Sequence, residues 1–324
     1  MKHEDGLVAA YRLAANGTGQ PVGWREIESW TPGNGLLWIH LDYTDTTARD
    51  WILERSGLDP VTAEALLAEE TRPRSVVSGH GLLVILRGVN LNPGADPEDM
   101  VSIRLWIDGE RIISVRRRRL AAVQDLRDAI AAGSGPRTAG DFLVTLADRL
   151  VTRMADAIGR IDETADDLEQ EVLTASSHEL RVKLAELRRE VIALRRYLTP
   201  QRDALTRLQT EPVQWLDDSD RMRIREVADR TTRYVEDLDA VRDRAVVTHE
   251  ELSSRLAEQV ERRMYVLSLA AAVFLPLGFV TGLLGVNVGG LPGAQYSQGF
   301  AIVCVLLAAI FGLQLWTLRR KGWL

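Results

Sequence analysis

The chain has a single cysteine, Cys304. With no second thiol, neither an intrachain disulfide nor a thiolate zinc cluster can form. Histidine is scarce too: His3, His40, His80, His178 and His249 are scattered without ligand spacing, and no glycine-rich phosphate loop follows a strand, which argues against an enzyme. No excess of basic charge is present, since the net charge is -6 with signs interspersed, and nucleic acid is not an expected partner. The N-terminus lacks an apolar run and carries acids early, so no signal peptide is predicted. The most informative absence is local. Between Met264 and Leu318 there is no Asp, Glu, Lys, Arg or His.

That uncharged stretch contains two runs, 265–284 (YVLSLAAAVFLPLGFVTGLL) and 300–318 (FAIVCVLLAAIFGLQLWTL). About 20 residues at 1.5 Å each span the roughly 30 Å hydrocarbon core of a bilayer, so both are predicted transmembrane helices. Arg262 and Arg263 precede the first, and Arg319, Arg320 and Lys321 follow the second. The positive-inside rule then places both ends in the cytoplasm and the 285–299 loop outside.

Residues 1–135 are predicted to form an α+β cytoplasmic unit. A strand is expected at 35–43 (GLLWIHLDY), helices at 46–55 and 61–70, and a hairpin over 75–89 turning at Ser78-Gly79-His80-Gly81. A second hairpin joins 101–107 to 111–115 through Asp108-Gly109-Glu110, and a helix at 120–132 closes the unit. The Gly133-Ser134-Gly135-Pro136 cluster marks the expected boundary.

Residues 136–263 are predicted to be a helical hairpin and a stalk. Apolar residues recur at alternating threes and fours from Ala147 to Val172 and from Leu180 to Leu198, with a break at 174–177. A third stripe, Val227, Thr231, Tyr234, Leu238, Val241, Ala245, Thr248 and Leu252, has no helix breaker before Pro276. It predicts one coiled-coil-like helix of roughly 100 Å running into the first span. Glu236, Asp243 and Glu250 lie one heptad apart on the opposite face. That acidic line either faces a symmetry axis or is a solvated face balanced by Arg233, Arg242 and Arg244.

Two spans cannot enclose a polar path, so conduction requires several copies around an axis. The first span carries small residues at helical intervals, and the stripe Ser268, Ala271, Leu275, Gly278 and Gly282 is the predicted pore face. The 285–299 loop has no carboxylate, so cation attraction must come from dipoles: the outward C-terminal end of the first helix and the carboxamide of Asn287. The pore face offers no imidazole, thiolate or carboxylate, which suits an ion that keeps much of its water shell. A proton-coupled mechanism would have to use groups below the bilayer, such as Glu258, Glu261, His249 or the acidic line.

A long helix running into a span that ends Gly285-Val286-Asn287, followed by a short loop, a second span and a basic tail, resembles the CorA metal ion transporter superfamily over essentially the whole chain. Magnesium and cobalt transporters of that superfamily typically carry an aromatic before the tripeptide, Met at its centre and Met-Pro-Glu just after. Here those places hold Leu284, Val286 and Leu291-Pro292-Gly293, and the string GLLGVNVGGLPG is similar to the zinc transporter ZntB branch.

The resemblance implies a homopentamer with a cytoplasmic funnel in the bacterial inner membrane, with 265–284 lining the pore, Gly285, Val286 and Asn287 as the entry filter, and Zn2+ as cargo. No cofactor is expected, and the partners are lipid, other copies of the chain and divalent cations. Two alternatives stay open. One is a Mg2+, Co2+ or Ni2+ channel gated by acidic sites, for which Asp237, Asp239 and Asp243 are the candidates. The other is a membrane-anchored coiled-coil scaffold without a pore.

Overall fold

The computed structural model describes residues 5–174, 178–285 and 297–323. Packing groups Met1–His249 in one compact unit and Glu250–Leu324 in another.

The first unit is built on seven strands: β1 (Leu7–Leu13), β2 (Gly19–Pro21), β3 (Leu36–Asp42), β4 (Arg74–Ser78), β5 (Gly81–Gly88), β6 (Val101–Ile107) and β7 (Arg111–Arg116). They form one sheet in the order β2-β1-β3-β7-β6-β5-β4. Only the central pair β3 and β7 is parallel, with Trp38 opposite Ile112 and Asp42 opposite Arg116. Both expected hairpins are present. In the β6–β7 turn Asp108 Oδ1 accepts the backbone N–H of Glu110 and of Arg111, while Gly109 takes φ +97°. A Cβ at Gly109 would also meet the Trp215 ring at 2.8 Å, so the turn requires glycine twice over.

Helices cover both faces of the sheet. On one side lie α1 (Trp24–Glu28), α2 (Thr46–Asp50), a π-helical turn (Trp51–Arg55) and α3 (Pro60–Leu67), packed on Leu37, Ile39, Leu41, Ile113 and Val115. On the other lie α4 (Ala121–Ala131) and α5 (Ala139–Thr152), packed on Trp38, Ile112 and their neighbours. A strand covered on both faces needs no polar alternation, which is why 35–43 is apolar nearly throughout.

β1, β2 and α1 were not anticipated. The centre of β1, Ala9-Ala10, gives little hydrophobic contrast, and its burial follows from pairing with β3.

Three further helices follow: α6 (Ala155–Thr174), α7 (His178–Leu208) and α8 (Asp218–Leu284). The apolar period from Ala147 to Val172 is real, but two helices carry it, because α5 ends at Thr152 with Arg153 as its C-cap. Arg153 there binds Asp125 of α4 through both carboxylate oxygens, at 2.7 and 2.6 Å. The third stripe is buried as expected, with Val227, Thr231, Leu238, Val241, Ala245, Thr248 and Leu252 all inaccessible and Tyr234 half-buried. Its two threonine hydroxyls donate to carbonyls one turn back in the same helix, which removes the cost of burying them. Flanking ion pairs tie α8 to its neighbours: Arg223 to Asp141, Arg195 to Asp239, and Arg244 to Asp162, Asp166 and Glu169.

The boundary expected near residue 135 is not a break in packing. Phe142, Leu143 and Leu146 of α5, Leu205 and Leu208 of α7 and Ile224 and Val227 of α8 share one core with Trp38, Leu105 and Ile112 of the sheet. Gly135 donates its N–H to the Gly17 carbonyl at 2.8 Å, which fastens the supposed linker to the β1–β2 turn.

At the centre of this core Ser114 Oγ accepts from Trp38 Nε1 and contacts His40 Nδ1, both at 2.8 Å. His40 is fully buried, and its pKa is pushed down to about 3, chiefly by burial and then by Arg116 and Arg127. The folded protein therefore holds it neutral, whereas an unfolded histidine takes a proton below pH ~6.5. Its contribution to stability is complete above that pH and is lost as pH falls toward 3. Between pH 6.5 and 5 the loss should approach ~2 kcal/mol. Denaturant unfolding of wild type beside His40→Gln at several pH values checks this. The variant, which keeps an amide for Ser114, should show the shallower decline with acid, and parallel curves would refute the assignment.

Candidate ion pathway

The second unit contains the end of α8 and a ninth helix, α9 (Gly299–Arg320). Both helices are long and apolar enough to cross a membrane. Their side chains are largely exposed within the chain, including Phe274, Leu275, Phe279 and Phe300, so they are not the core helices of a soluble fold. Tyr265 OH donates to the Trp323 carbonyl, which brings the start of the first span and the end of the second together as an antiparallel hairpin.

Half-covered positions show which faces meet. On the first span Leu269, Val273, Leu277 and Val280 are partly buried; on the second Val303, Leu307, Ile310, Gln314 and Leu318 are. At about 100° per residue the stripe Ser268, Ala271, Leu275, Gly278 and Gly282 lies on the face roughly opposite that covered side of the first span. Ser268, Leu275, Gly278 and Gly282 are exposed, Leu275 at 70%, and Ala271 is half-covered. A Cβ at Gly278 or Gly282 would meet nothing within 4 Å. Within one chain this stripe is therefore free for contact with other molecules.

The helix closes at its last turn, where Gly285 N–H reaches the Thr281 carbonyl at 3.0 Å and Thr281 Oγ1 donates to the Leu277 carbonyl at 3.0 Å. Gly285 is exposed. Val286 and Asn287, the rest of the predicted filter, lie outside the described residues. Among the described residues no group of three His, Cys, Asp or Glu side chains is placed to hold a metal.

Glu236, Asp243 and Glu250 are all exposed, on the side of α8 away from its buried stripe. Asp243 is paired with Arg242 at 2.8 Å, so part of that line is neutralised locally. Gln314 was missed by sequence reasoning. Its Oε1 is buried without a partner among the described residues, on the face of α9 toward the first span. The available signal was an amide inside an otherwise apolar run.

Comparison with known proteins accounts for nearly the whole length. The chain is 41% identical to the divalent cation transporter CmaX of Pseudomonas aeruginosa over 99% of its own length and 98% of the relative's. It is 38% identical to the zinc transport protein ZntB of Pectobacterium atrosepticum, covering 98% of this chain and 96% of that one. The solved structure of full-length CmaX superposes with a TM-score of 0.86 over 99% of both chains. The model of the CorA-like Mg2+ transporter protein family matches residues 33–320. An α+β domain, a long helix and two C-terminal apolar helices, matched from end to end, make this chain a member of the CorA-like family.

Proposed function

We propose that this protein carries divalent cations, zinc above all, across the bacterial inner membrane. In this reading it is a homopentamer whose pore is lined by Ser268, Ala271, Leu275, Gly278 and Gly282, with Gly285, Val286 and Asn287 as the outer filter and both termini in the cytoplasm. The observation that carries it is the uncovered small-residue face of the first span, opposite the face that the second span covers. Such a face lets copies approach around an axis and leaves room between them.

Zinc is favoured by the likeness to ZntB and by a 285–299 loop that lacks a carboxylate. A second reading, broader divalent transport, is favoured by the equally complete likeness to CmaX, whose name specifies no metal. The membrane segments hold no Asp, Glu, Lys, Arg or His to shuttle protons, so any proton coupling is assigned to groups outside them.

The test is zinc flux into proteoliposomes holding the purified full chain, with magnesium and cobalt as competitors and the proton gradient imposed or collapsed. Saturable zinc entry that magnesium competes with poorly is expected. Equal competition by all three ions would favour the broader reading. No flux of any ion from a correctly assembled oligomer would remove transport altogether.

A further inference from the structure

The carboxyl end of β7, the strand that runs parallel to β3, opens into a cavity of about 380 Å3 beside the first turn of α4. Crevices at the carboxyl ends of parallel strands are where open α/β sheets bind ligands, and this volume lies within the range of small-molecule sites. Three arginines line it, Arg116 from the end of β7, Arg119 from the connection and Arg127 from α4, beside an apolar wall that includes Leu91 and Val123.

None of the described residues lining the cavity is a carboxylate, and among the described residues none of the three arginines forms an ion pair. Among the described residues the only side-chain hydrogen bond of the three is Arg127 Nη1 to Gln124 Oε1, at a long 3.4 Å. Among the described residues Arg116 Nε and Arg127 Nε are buried without hydrogen-bond partners, and so is Nε2 of the fully buried His40, which lies on β3 two residues before Asp42, the strand partner of Arg116. Asp42, across from Arg116 on β3, already accepts from Thr44 N and Oγ1. Burial lowers the pKa of Arg116, Asp42 across the strand pair opposes it as a partial counter-ion, and Arg119 and Arg127 push it further down, as expected of cations gathered together.

The start of α4 points to the same missing charge. Its N-cap, Leu120, supplies no side-chain hydrogen bond, and its first turn contains no acid. The unsatisfied N–H groups of an uncapped helix start amount to about half a positive charge. Three guanidinium groups and that dipole suit a phosphate dianion better than a carboxylate, because a phosphate offers three terminal oxygens and two charges where a carboxylate offers two oxygens and one.

We propose that this cavity binds a soluble phosphorylated small molecule, with the phosphate held by Arg116, Arg119 and Arg127 at the N-terminus of α4 and the organic part against Leu91 and Val123. The space is larger than a phosphate alone requires, which is why an organic appendage belongs to the proposal. Of the run Arg116 to Arg119, the other two members turn elsewhere: Arg118 pairs with Asp99 at 2.6 Å, and Arg117 is exposed outside the cavity. They supply matched controls.

Calorimetric titration of the full chain in lipid-free detergent with AMP, pyrophosphate and adenosine tests this. Saturable AMP binding is expected, at least roughly tenfold tighter than adenosine, weakened roughly tenfold by Arg116→Gln or Arg127→Gln, and unchanged by Arg117→Gln. Arg119 is exposed, so Arg119→Gln provides a variant whose folding is not at risk. The proposal is overturned by equal binding of AMP and adenosine, by wild-type affinity in Arg119→Gln and Arg116→Gln, or by no saturable binding of AMP or pyrophosphate. It is equally overturned if the wild type binds neither probe while the arginine variants lose oligomeric state, since a neighbouring copy would then be the occupant. The readout is binding, so it stands or falls independently of transport.

Discussion

Asn287→Ala should lower zinc flux in proteoliposomes at least roughly tenfold while leaving the oligomer assembled. The 285–299 loop contains no carboxylate and the first span no charge, so in the proposed filter a cation is met by neutral dipoles: backbone carbonyls, the negative end of the helix dipole and this carboxamide. A hydrogen bond to a charged partner contributes about 1.5–3 kcal/mol. Losing a single such contact to the hydrated ion already amounts to a tenfold change, ~1.4 kcal/mol, and a symmetric ring loses one from every copy. Asn287→Asp separates attraction from shape, because it restores the oxygens with charge and should raise cation binding while blunting discrimination among metals. If Asn287→Ala carried zinc at the wild-type rate, Asn287 would be no more than a helix C-cap and the filter assignment would fall.

The parts of this fold that were legible in the sequence are those set by local chemistry. Asp108-Gly109-Glu110 specifies its hairpin because Asp108 satisfies two turn amides and Gly109 alone fits φ +97°. The α8 stripe was legible because a period near 3.5 over several heptads has one physical reading, and burial follows it residue by residue. The spans were legible from the missing charge. What could not be seen is non-local. The parallel pairing of β3 with β7, separated by some seventy residues, leaves no mark on either strand, and the arginine-lined cavity brings Val8 of β1 and Leu91 together with Arg116 at the end of β7 and Arg127 of α4. The four consecutive arginines were visible. Which of them share a pocket was decided by the strand end and the turn after it.

Phe142→Ala should cost about 3–5 kcal/mol and loosen the sheet and the helices together. Phe142 lies on α5, beyond the glycine-rich stretch that marks a boundary by composition, yet it is fully buried and packs edge-on to Trp38 of β3 with ring centroids 5.0 Å apart. Deleting its ring opens a void under the sheet, which relaxes only partly because Trp38 is also stacked on Tyr11 and hydrogen-bonded to Ser114. Hydrogen exchange of the full chain, followed peptide by peptide, reads the consequence. If one core unites the sheet with α5 and the early part of α8, protection should fall together in peptides covering β3, β7 and Val227, because they open as one cooperative unit. Were residues 136–263 an independent helical domain, only the helical peptides would lose protection and the sheet would exchange as in the wild type. The shared burial of Ile224, Val227 and Ala228 with Leu105 and Ile112 makes the first outcome the expected one: the stalk helix begins inside the core of the domain that precedes it.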